Sequence, residues 1–94
     1  MKIFESKDKI GKTIYLTKER WVHISKEHPE VKNYFNNFDD TLINPTKMMD
    51  YFYDNNIKYY YKYFKEKKSY LLIIAKYLNG EGFIITAYFV RNLK

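Results

Sequence analysis

Four residues of the sequence have side chains whose types and spacing could do chemistry: Arg20, His23, Thr86 and Tyr88. A histidine exchanges a proton near neutral pH, and an arginine guanidinium can hold a phosphate through two parallel hydrogen bonds. Thr86 and Tyr88 alternate along a predicted strand, which places them on one face at positions about 7 Å apart. Their two hydroxyls could orient a substrate or donate to its phosphate, so the set suits a reaction at a phosphate group.

Three further cations, Lys62, Lys76 and Arg91, lie on or beside the predicted sheet. Cleavage of RNA by attack of a 2′-OH on its own phosphate requires a base, an acid and cations at the phosphate, but neither a metal ion nor a water nucleophile. The residues therefore favour RNA cleavage that yields a 2′,3′-cyclic phosphate and a 5′-OH. In this hypothesis His23 is the general acid or base. Arg20, helped by Lys62 or Lys76, holds the scissile phosphate.

Each of these residues also fits a purely structural role. His23 could pair on the helix surface with Glu19 or Glu27, and Thr86 has a high strand propensity of its own. The lysines could simply keep the protein soluble. The tyrosines within residues 59–63 could stack on bases, or they could form the surface and core of a sheet. The alternative functions are a non-catalytic RNA-binding module and a protein-interaction domain that binds an acidic protein.

Several kinds of site find no support in the sequence. His23 and His28 are five residues apart and would point about 140° away from each other on a helix, and no acidic ligand set accompanies them. There is no cysteine, and the three glycines stand at positions 11, 80 and 82, so neither a Cys-ligated zinc site nor a glycine-rich phosphate loop is present. We expect no metal ion and no cofactor.

The charge of the chain indicates the kind of partner. Among 94 residues, 17 are basic and 11 are acidic, which gives a net charge of +6 that is spread along the sequence. This excess favours an anionic partner, RNA or an acidic protein. The N-terminal segment has no apolar run typical of a signal peptide, and the most apolar run, residues 70–75, is far too short to span a bilayer. We expect a cytoplasmic protein with no membrane contacts.

Two helices should follow a short N-terminal β-hairpin formed by residues 2–5 and 13–16. The first helix should begin after Thr17, a typical N-cap, and end near residue 27 or 28, because Pro29 disfavours the helical conformation of the residue before it. Residues 30–43 place apolar side chains at helical spacing and predict the second helix.

From residue 48 onward the pattern changes to that of strands. Residues 48–53, 57–64, 70–77 and 83–90 predict four antiparallel strands, separated by turns at residues 54–56, 65–68 and 79–82. We therefore expect one α+β domain over residues 1–94, with the two N-terminal helices packed on a four-stranded antiparallel sheet. The face of the sheet away from the helices would stay partly open for a ligand.

The segment ERWVHISKEHPEV, residues 19–31, resembles the ERW-x-HI-x-x-x-HPE signature of small phage and prokaryotic nuclease-like domains grouped with barnase, EndoU, colicin-type tRNases and RelE-type toxins. The TLINP segment at residues 41–45 and the FIITAYFV segment at residues 83–90 are similar to two further elements of that group. The resemblance covers residues 13–91. It implies an RNase-like α+β fold and, for many members, a toxin or effector that acts on RNA.

Carried over by position, the resemblance points to Arg20, His23, Thr86 and Tyr88. The chain departs from the pattern in its many tyrosines and in the acidic Glu27 before the HPE motif, where several relatives have a basic residue. The leading hypothesis is therefore a metal-independent endoribonuclease that is the toxin of a toxin–antitoxin pair. An acidic antitoxin protein would cover its basic open face.

Overall fold

Six strands form one mixed sheet, and the helical segments cover one of its faces, in the computed structural model of the chain, which describes residues 1–93. The last residue of the expected domain, Lys94, lies outside the described residues. The strands are β1 (Lys2–Lys7), β2 (Thr13–Thr17), β3 (Lys47–Tyr51), β4 (Asp54–Phe64), β5 (Ser69–Leu78) and β6 (Glu81–Val90), in the order β1-β2-β6-β5-β4-β3 across the sheet. The helices are α1 (Lys18–Glu27), a 3-10 helix (Pro29–Asn37) and α2 (Phe38–Ile43).

The fold is α+β, but the predicted architecture of two helices on a four-stranded antiparallel sheet is wrong. The N-terminal hairpin belongs to the sheet: β2 runs parallel to β6, with Ile14 opposite Gly82 and Tyr15 opposite Phe83. All other neighbouring strands are antiparallel. Ile14 and Leu16 have no exposed surface, because both side chains belong to the core between the sheet and the helices. Alternation along a short strand shows that one face is buried, but not which distant strand lies next to it.

A glycine allows β2 to lie close to β6. A Cβ atom at Gly82 would lie 2.9 and 3.1 Å from two ring carbons of Tyr77 and 3.2 Å from Cγ1 of Ile14. A side chain at this position would therefore displace the tyrosine ring or β2. The turn before Gly82 is shorter than predicted, since only Asn79 and Gly80 separate β5 from β6, and their φ angles of 55° and 85° suit a two-residue hairpin turn.

The second predicted helix, residues 30–43, is not one α-helix. Its first part is the 3-10 helix Pro29–Asn37, and only Phe38–Ile43 is α-helical. The asparagines and aromatic residues of the segment have low helix propensity, and Asn37 adopts φ −101° and ψ 0° at the junction. The apolar spacing did not reveal this, because residues three apart share one face in either kind of helix.

Helix α1 begins and ends where the sequence predicted. The hydroxyl of Thr17 accepts a hydrogen bond from the backbone N–H of Arg20 at 3.1 Å, and the backbone N–H of His28 donates to the carbonyl of Ile24 at 2.8 Å. The helix follows β2 directly and contacts β6, whose pairing with β2 ends at Phe83. Helix α1 therefore lies beside the part of β6 that follows Phe83 and does not pair with β2.

The face of the sheet toward the helices holds the main hydrophobic core, and we call it the covered face. Its fully buried residues include Ile24, Val31, Phe38 and Leu42 from the helices and Ile14, Leu16, Leu71, Ile73, Ala75 and Ala87 from the sheet. The tryptophan of α1 lies at the border of this core, where its ring centroid is 4.9 Å from that of Phe35 and 5.9 Å from that of Phe38.

A chain of buried hydrogen bonds ties the N-terminal hairpin to the covered face. Asp8, in the loop after β1, accepts through Oδ1 from the backbone N–H groups of Ile10 and Lys12 (3.0 and 2.8 Å) and through Oδ2 from the hydroxyl of Tyr77 (2.7 Å). The hydroxyls of Tyr77 and Tyr60 lie 2.5 Å apart. Burial raises the pKa of Tyr60 to about 12 and raises the pKa of Tyr77 as well. These hydrogen bonds give partners to the carboxylate of Asp8 and to the hydroxyls of Tyr60 and Tyr77.

The opposite face of the sheet, which we call the open face, has none of the described helices packed on it. Strand register and ring contacts place on it Tyr15, Met49, Tyr51, Tyr59, Tyr61, Tyr63, Tyr70, Leu72, Ile74, Lys76, Phe83, Thr86, Tyr88 and Val90. Two of these side chains are nevertheless buried, since Tyr61 is 0% and Leu72 is 1% exposed. The surrounding tyrosines cover them, and the ring of Tyr61 touches those of Tyr59 and Tyr70.

Candidate functional site

A groove of about 380 Å³ crosses the open face. It is lined by Met49, Asp50, Tyr51, Phe52, Tyr59, Leu72, Tyr88 and Val90. The rings of Tyr51 and Tyr59 are parallel within 4°, with centroids 5.7 Å apart, and Phe52 is 85% exposed. Burial, and then the neighbouring hydroxyls of Tyr51 and Tyr88, raise the pKa of Tyr59, so that its hydroxyl remains a hydrogen-bond donor at neutral pH. The groove thus offers flat aromatic surfaces with a polar margin.

The N-terminal end of α1 reaches the open face through Arg20. This side chain lines a small depression together with Tyr15 and Phe83, which lie opposite each other on β2 and β6. The two rings are 6.2 Å apart, and Nζ of Lys2 lies 4.2 Å from the centroid of the Tyr15 ring. Arg20 forms no ion pair within residues 1–93, so its guanidinium is available to an anion.

His23 lies beside Arg20, as their spacing on a helix predicts. The two residues line a second depression with Thr17 and Glu19. Nε2 of His23 is 3.2 Å from Oε1 of Glu27, in a contact where both side chains are more than half exposed. No hydrogen bond within the described part of the chain engages the second ring nitrogen, Nδ1. The carboxylate can therefore orient the imidazole and leave Nδ1 directed to a ligand.

The C-terminal end of α1 reaches the open face through His28. Its imidazole stacks on the ring of Tyr88, with centroids 5.1 Å apart and an interplanar angle of 27°. Tyr88 also forms part of the groove wall, so His28 is the histidine that stands next to the groove. His28 was not among the residues predicted for the site. The signal that could have found it is Pro29, which takes His28 out of the helix and lets its ring turn toward β6.

Thr86 and Tyr88 lie on the same face of β6, as their alternation predicted. Thr86 pairs with Ile74 and Tyr88 with Leu72, and these two β5 residues are themselves two apart. The register shifts by one residue before Thr86, where Ile85 is the extra residue of a β-bulge. No side-chain hydrogen bond within residues 1–93 joins Thr86 or Tyr88 to α1, so neither hydroxyl is hydrogen-bonded to His23.

The three predicted RNA-binding cations lie in different places. Lys62 is on the covered face, where its ammonium donates to the carbonyl of Asn44 at 2.9 Å and lies 3.2 Å from Oδ2 of Asp40 in α2. Lys76 is on the open face, opposite Phe83, and lies 3.5 Å from Oδ2 of Asp54. Arg91 is exposed just after β6. The structure thus places Lys76 on the same face as Thr86 and holds Lys62 on the other face.

Comparisons with known proteins add no assignment: no family model, no curated protein and no solved structure matches the chain. Within residues 1–93, no cluster of three or more histidine, aspartate or glutamate side chains has the geometry of a metal site. None of the helices in this part of the chain is long and apolar enough to cross a membrane.

Proposed function

We propose that the protein is a metal-independent endoribonuclease that acts in the cytoplasm as the toxin of a toxin–antitoxin pair. One observation carries the proposal: both ends of α1 adjoin the open, tyrosine-rich face, since Arg20 lines a depression with Tyr15, and His28, the residue after the helix, stacks on Tyr88. An RNA strand lying on that face would bring its phosphates to the helix that holds His23. Tyrosine rings would stack on its bases, a contact that every base can make.

The roles follow from this placement. Arg20 holds the scissile phosphate, Lys76 adds positive charge on the open face, and exposed Arg91 adds charge just after the end of β6. His23 takes the proton of the attacking 2′-OH or donates one to the leaving 5′ oxygen, with Glu27 orienting its ring. Lys62 has no part in this arrangement, because α2 already holds its ammonium.

Thr86 and Tyr88 orient the strand beside α1, since both are on the open face of β6 and their hydroxyls have no protein partner within residues 1–93. The net charge of +6 supports both RNA and an acidic antitoxin as partners. The antitoxin would bind the open face and exclude RNA from it.

The test is an assay of purified protein on total RNA in EDTA, followed by analysis of the 3′ ends. The wild type should produce discrete fragments that end in a 2′,3′-cyclic phosphate. His23→Ala should lose about 10²–10⁴-fold in rate, the range for a lost general acid or base, while its circular dichroism spectrum stays unchanged. Lys26→Ala is the matched control, because Lys26 is exposed on the same helix and lines neither depression.

Equal cleavage by wild type and His23→Ala would remove His23 from the mechanism. Intact RNA with all variants would favour the second candidate, a non-catalytic RNA-binding or protein-interaction domain. One observation supports that alternative: Glu27 already engages His23, and no side-chain hydrogen bond in the described part of the chain links His23 to Thr86 or Tyr88.

A further inference from the structure

The groove on the open face has features that the fold itself does not explain. Phe52 and Tyr53, in the turn between β3 and β4, are 85% and 80% exposed, although each could be polar without loss of packing. Their rings contact each other at 4.9 Å, and Tyr53 also contacts Tyr51 at 5.6 Å. The groove therefore has an aromatic mouth directed to solvent. Exposed clusters of this kind mark sites where a ligand is bound.

The shape of the groove fits a small flat ligand. Its volume of about 380 Å³ lies near the lower end of the range of about 300–1,000 Å³ found for small-molecule sites. The parallel rings of Tyr51 and Tyr59 provide a planar wall, and Tyr88 stands on the other side as part of β6. Aromatic rings stack on planar π systems in offset geometry, so a flat heterocycle gains more here than a flexible aliphatic chain.

The polar margin of the groove is formed by tyrosine hydroxyls. Tyr51, Tyr59 and Tyr88 line the groove, and the neighbouring hydroxyls of Tyr51 and Tyr88 contribute to the raised pKa of Tyr59. Such hydroxyls can donate to or accept from the edge of a flat ligand. The carboxylate of Asp50 points to the other face of the sheet, since Asp50 lies opposite Lys58 and binds its ammonium at 2.6 Å.

We infer that this groove is a binding site for one unpaired nucleobase of an RNA strand, with a preference for purines. A purine offers the larger surface for stacking on the tyrosine rings. This inference rests on the proposed function in that it specifies the substrate as single-stranded RNA. The groove binds the base, and the helix residues Arg20 and His23 act on a phosphate elsewhere on the strand.

The experiment uses deoxynucleotides, because they lack the 2′-OH and are not cleaved by the proposed mechanism. 5′-dAMP, 5′-TMP and deoxyribose 5-phosphate are titrated into the ¹⁵N-labelled protein, and amide shifts are followed by NMR. With dAMP, the shifts should concentrate at the lining residues of β3 and β6, and TMP should bind several-fold more weakly. Deoxyribose 5-phosphate should produce no shifts in the groove.

Variants locate the site. Tyr51→Ala and Phe52→Ala should each weaken dAMP binding about tenfold, in line with the loss of one stacking ring. Tyr51→Phe should bind as the wild type does. Tyr63→Ala is the matched control, since Tyr63 is a half-exposed tyrosine of the same face that does not line the groove. Phe52→Ala keeps the test valid if Tyr51→Ala fails to fold, because Phe52 is almost fully exposed.

The outcomes separate this inference from the proposed function. Shifts spread over the basic surface, equal binding of deoxyribose 5-phosphate, or dAMP binding unchanged by Phe52→Ala would overturn the base site, even if the protein cleaves RNA. Groove-specific dAMP binding by a protein that leaves all RNA intact would support the base site and overturn the nuclease. Failure of every nucleotide to bind would overturn the base site as well. One explanation of that result would be a groove that binds an apolar protein segment instead.

Discussion

The two faces of the sheet bury their residues by different means. On the covered face, Leu71 and Ile73 have no exposed surface because helices pack over them. On the open face, the neighbouring Leu72 is 1% exposed, yet only tyrosines and other side chains of the sheet lie over it. One strand, β5, thus contributes to a helix-covered core and to a shallow core closed by side chains alone.

The difference shows what tyrosine does here. A tyrosine ring covers apolar neighbours as a phenylalanine does, and its hydroxyl tolerates water. A face built from such rings can remain without a covering layer and still offer stacking surfaces to a ligand. The covered face uses its buried tyrosines differently, since Tyr60 and Tyr77 join a hydrogen-bonded chain to Asp8.

The largest expected effect is the loss of stability when one of two adjacent leucines on opposite faces of β5, Leu71 or Leu72, is replaced by alanine. Leu71→Ala should lower the free energy of unfolding by about 2–5 kcal/mol, the usual cost of a cavity in a rigid core. Leu72→Ala should cost roughly half as much, because partly exposed tyrosines can move into the space. Urea denaturation of both variants measures the difference. Equal losses would mean that the tyrosine layer is as rigid as the helical layer.

The next effect concerns the place where β2 meets β6. Gly82→Ala should destabilise the protein by about 1–3 kcal/mol, because the new methyl group would contact the ring of Tyr77 and the side chain of Ile14. Glu81→Ala, at the exposed neighbouring position, is the control and should change stability by less than about 0.5 kcal/mol. Thermal unfolding of both variants is the measurement. A neutral Gly82→Ala would show that β2 and β6 can separate without loss.

A smaller effect is expected at α1, the helix that links the two faces. Thr17→Ala should cost about 1 kcal/mol, since it removes the hydroxyl that accepts from the first turn of the helix. Thr17→Ser keeps that hydroxyl and should restore most of the loss. Thr13→Ala removes only an exposed contact with Lys7 and should cost little. The same urea titration ranks the three variants, and a Thr17→Ala variant as stable as Thr13→Ala would contradict the capping role.

The last effect is a loss of stability that appears only in alkali. An unfolded tyrosine has a pKa of about 10, whereas burial raises the pKa of Tyr60 to about 12 in the folded protein. The folded state therefore keeps a proton that the unfolded state loses. This contribution to stability is complete below about pH 10 and falls as the pH rises toward about 12.

Absorbance of tyrosinate and denaturation between these pH values test this difference between the faces. Tyr60→Phe should flatten the loss of stability with rising pH, and Tyr63→Phe, on the open face, should leave it unchanged. A steep alkaline loss that survives Tyr60→Phe would assign the dependence to other groups, first among them Tyr77, whose pKa is also raised by burial.

Local signals in the sequence were sufficient for much of the fold. Thr17 and Pro29 determine where α1 starts and stops, and the turn at residues 65–68 separates β4 from β5 as expected. Arg20 and His23 fall side by side because they are three residues apart on a helix. These features depend on residues close together in the chain, so spacing and turn chemistry predict them.

Contacts between distant residues were not predictable in the same way. The parallel pairing of β2 with β6 and the stacking of His28 on Tyr88 join segments with no local signal for each other. The β-bulge at Ile85 likewise depends on two strands at once, and it decides which β6 residues share a face with Lys76. The geometry of the candidate site depends on all three of these long-range features. The sequence therefore predicted individual residues of the site but not how they are arranged in space.

Strand β4 shows most clearly where the sequence stops and tertiary structure begins. Alternation alone divided it into one set with Tyr59 and Tyr61 and another with Tyr60 and Lys62, and the register confirms this division. Which set faces the helices was decided only by packing. The set with Tyr59 is the more apolar, with three tyrosines and Ile57, yet it lies on the open face, and the set with two lysines faces the helices. The helices bury Tyr60 and bind Lys62, and that choice places Tyr59 on the face that holds the groove.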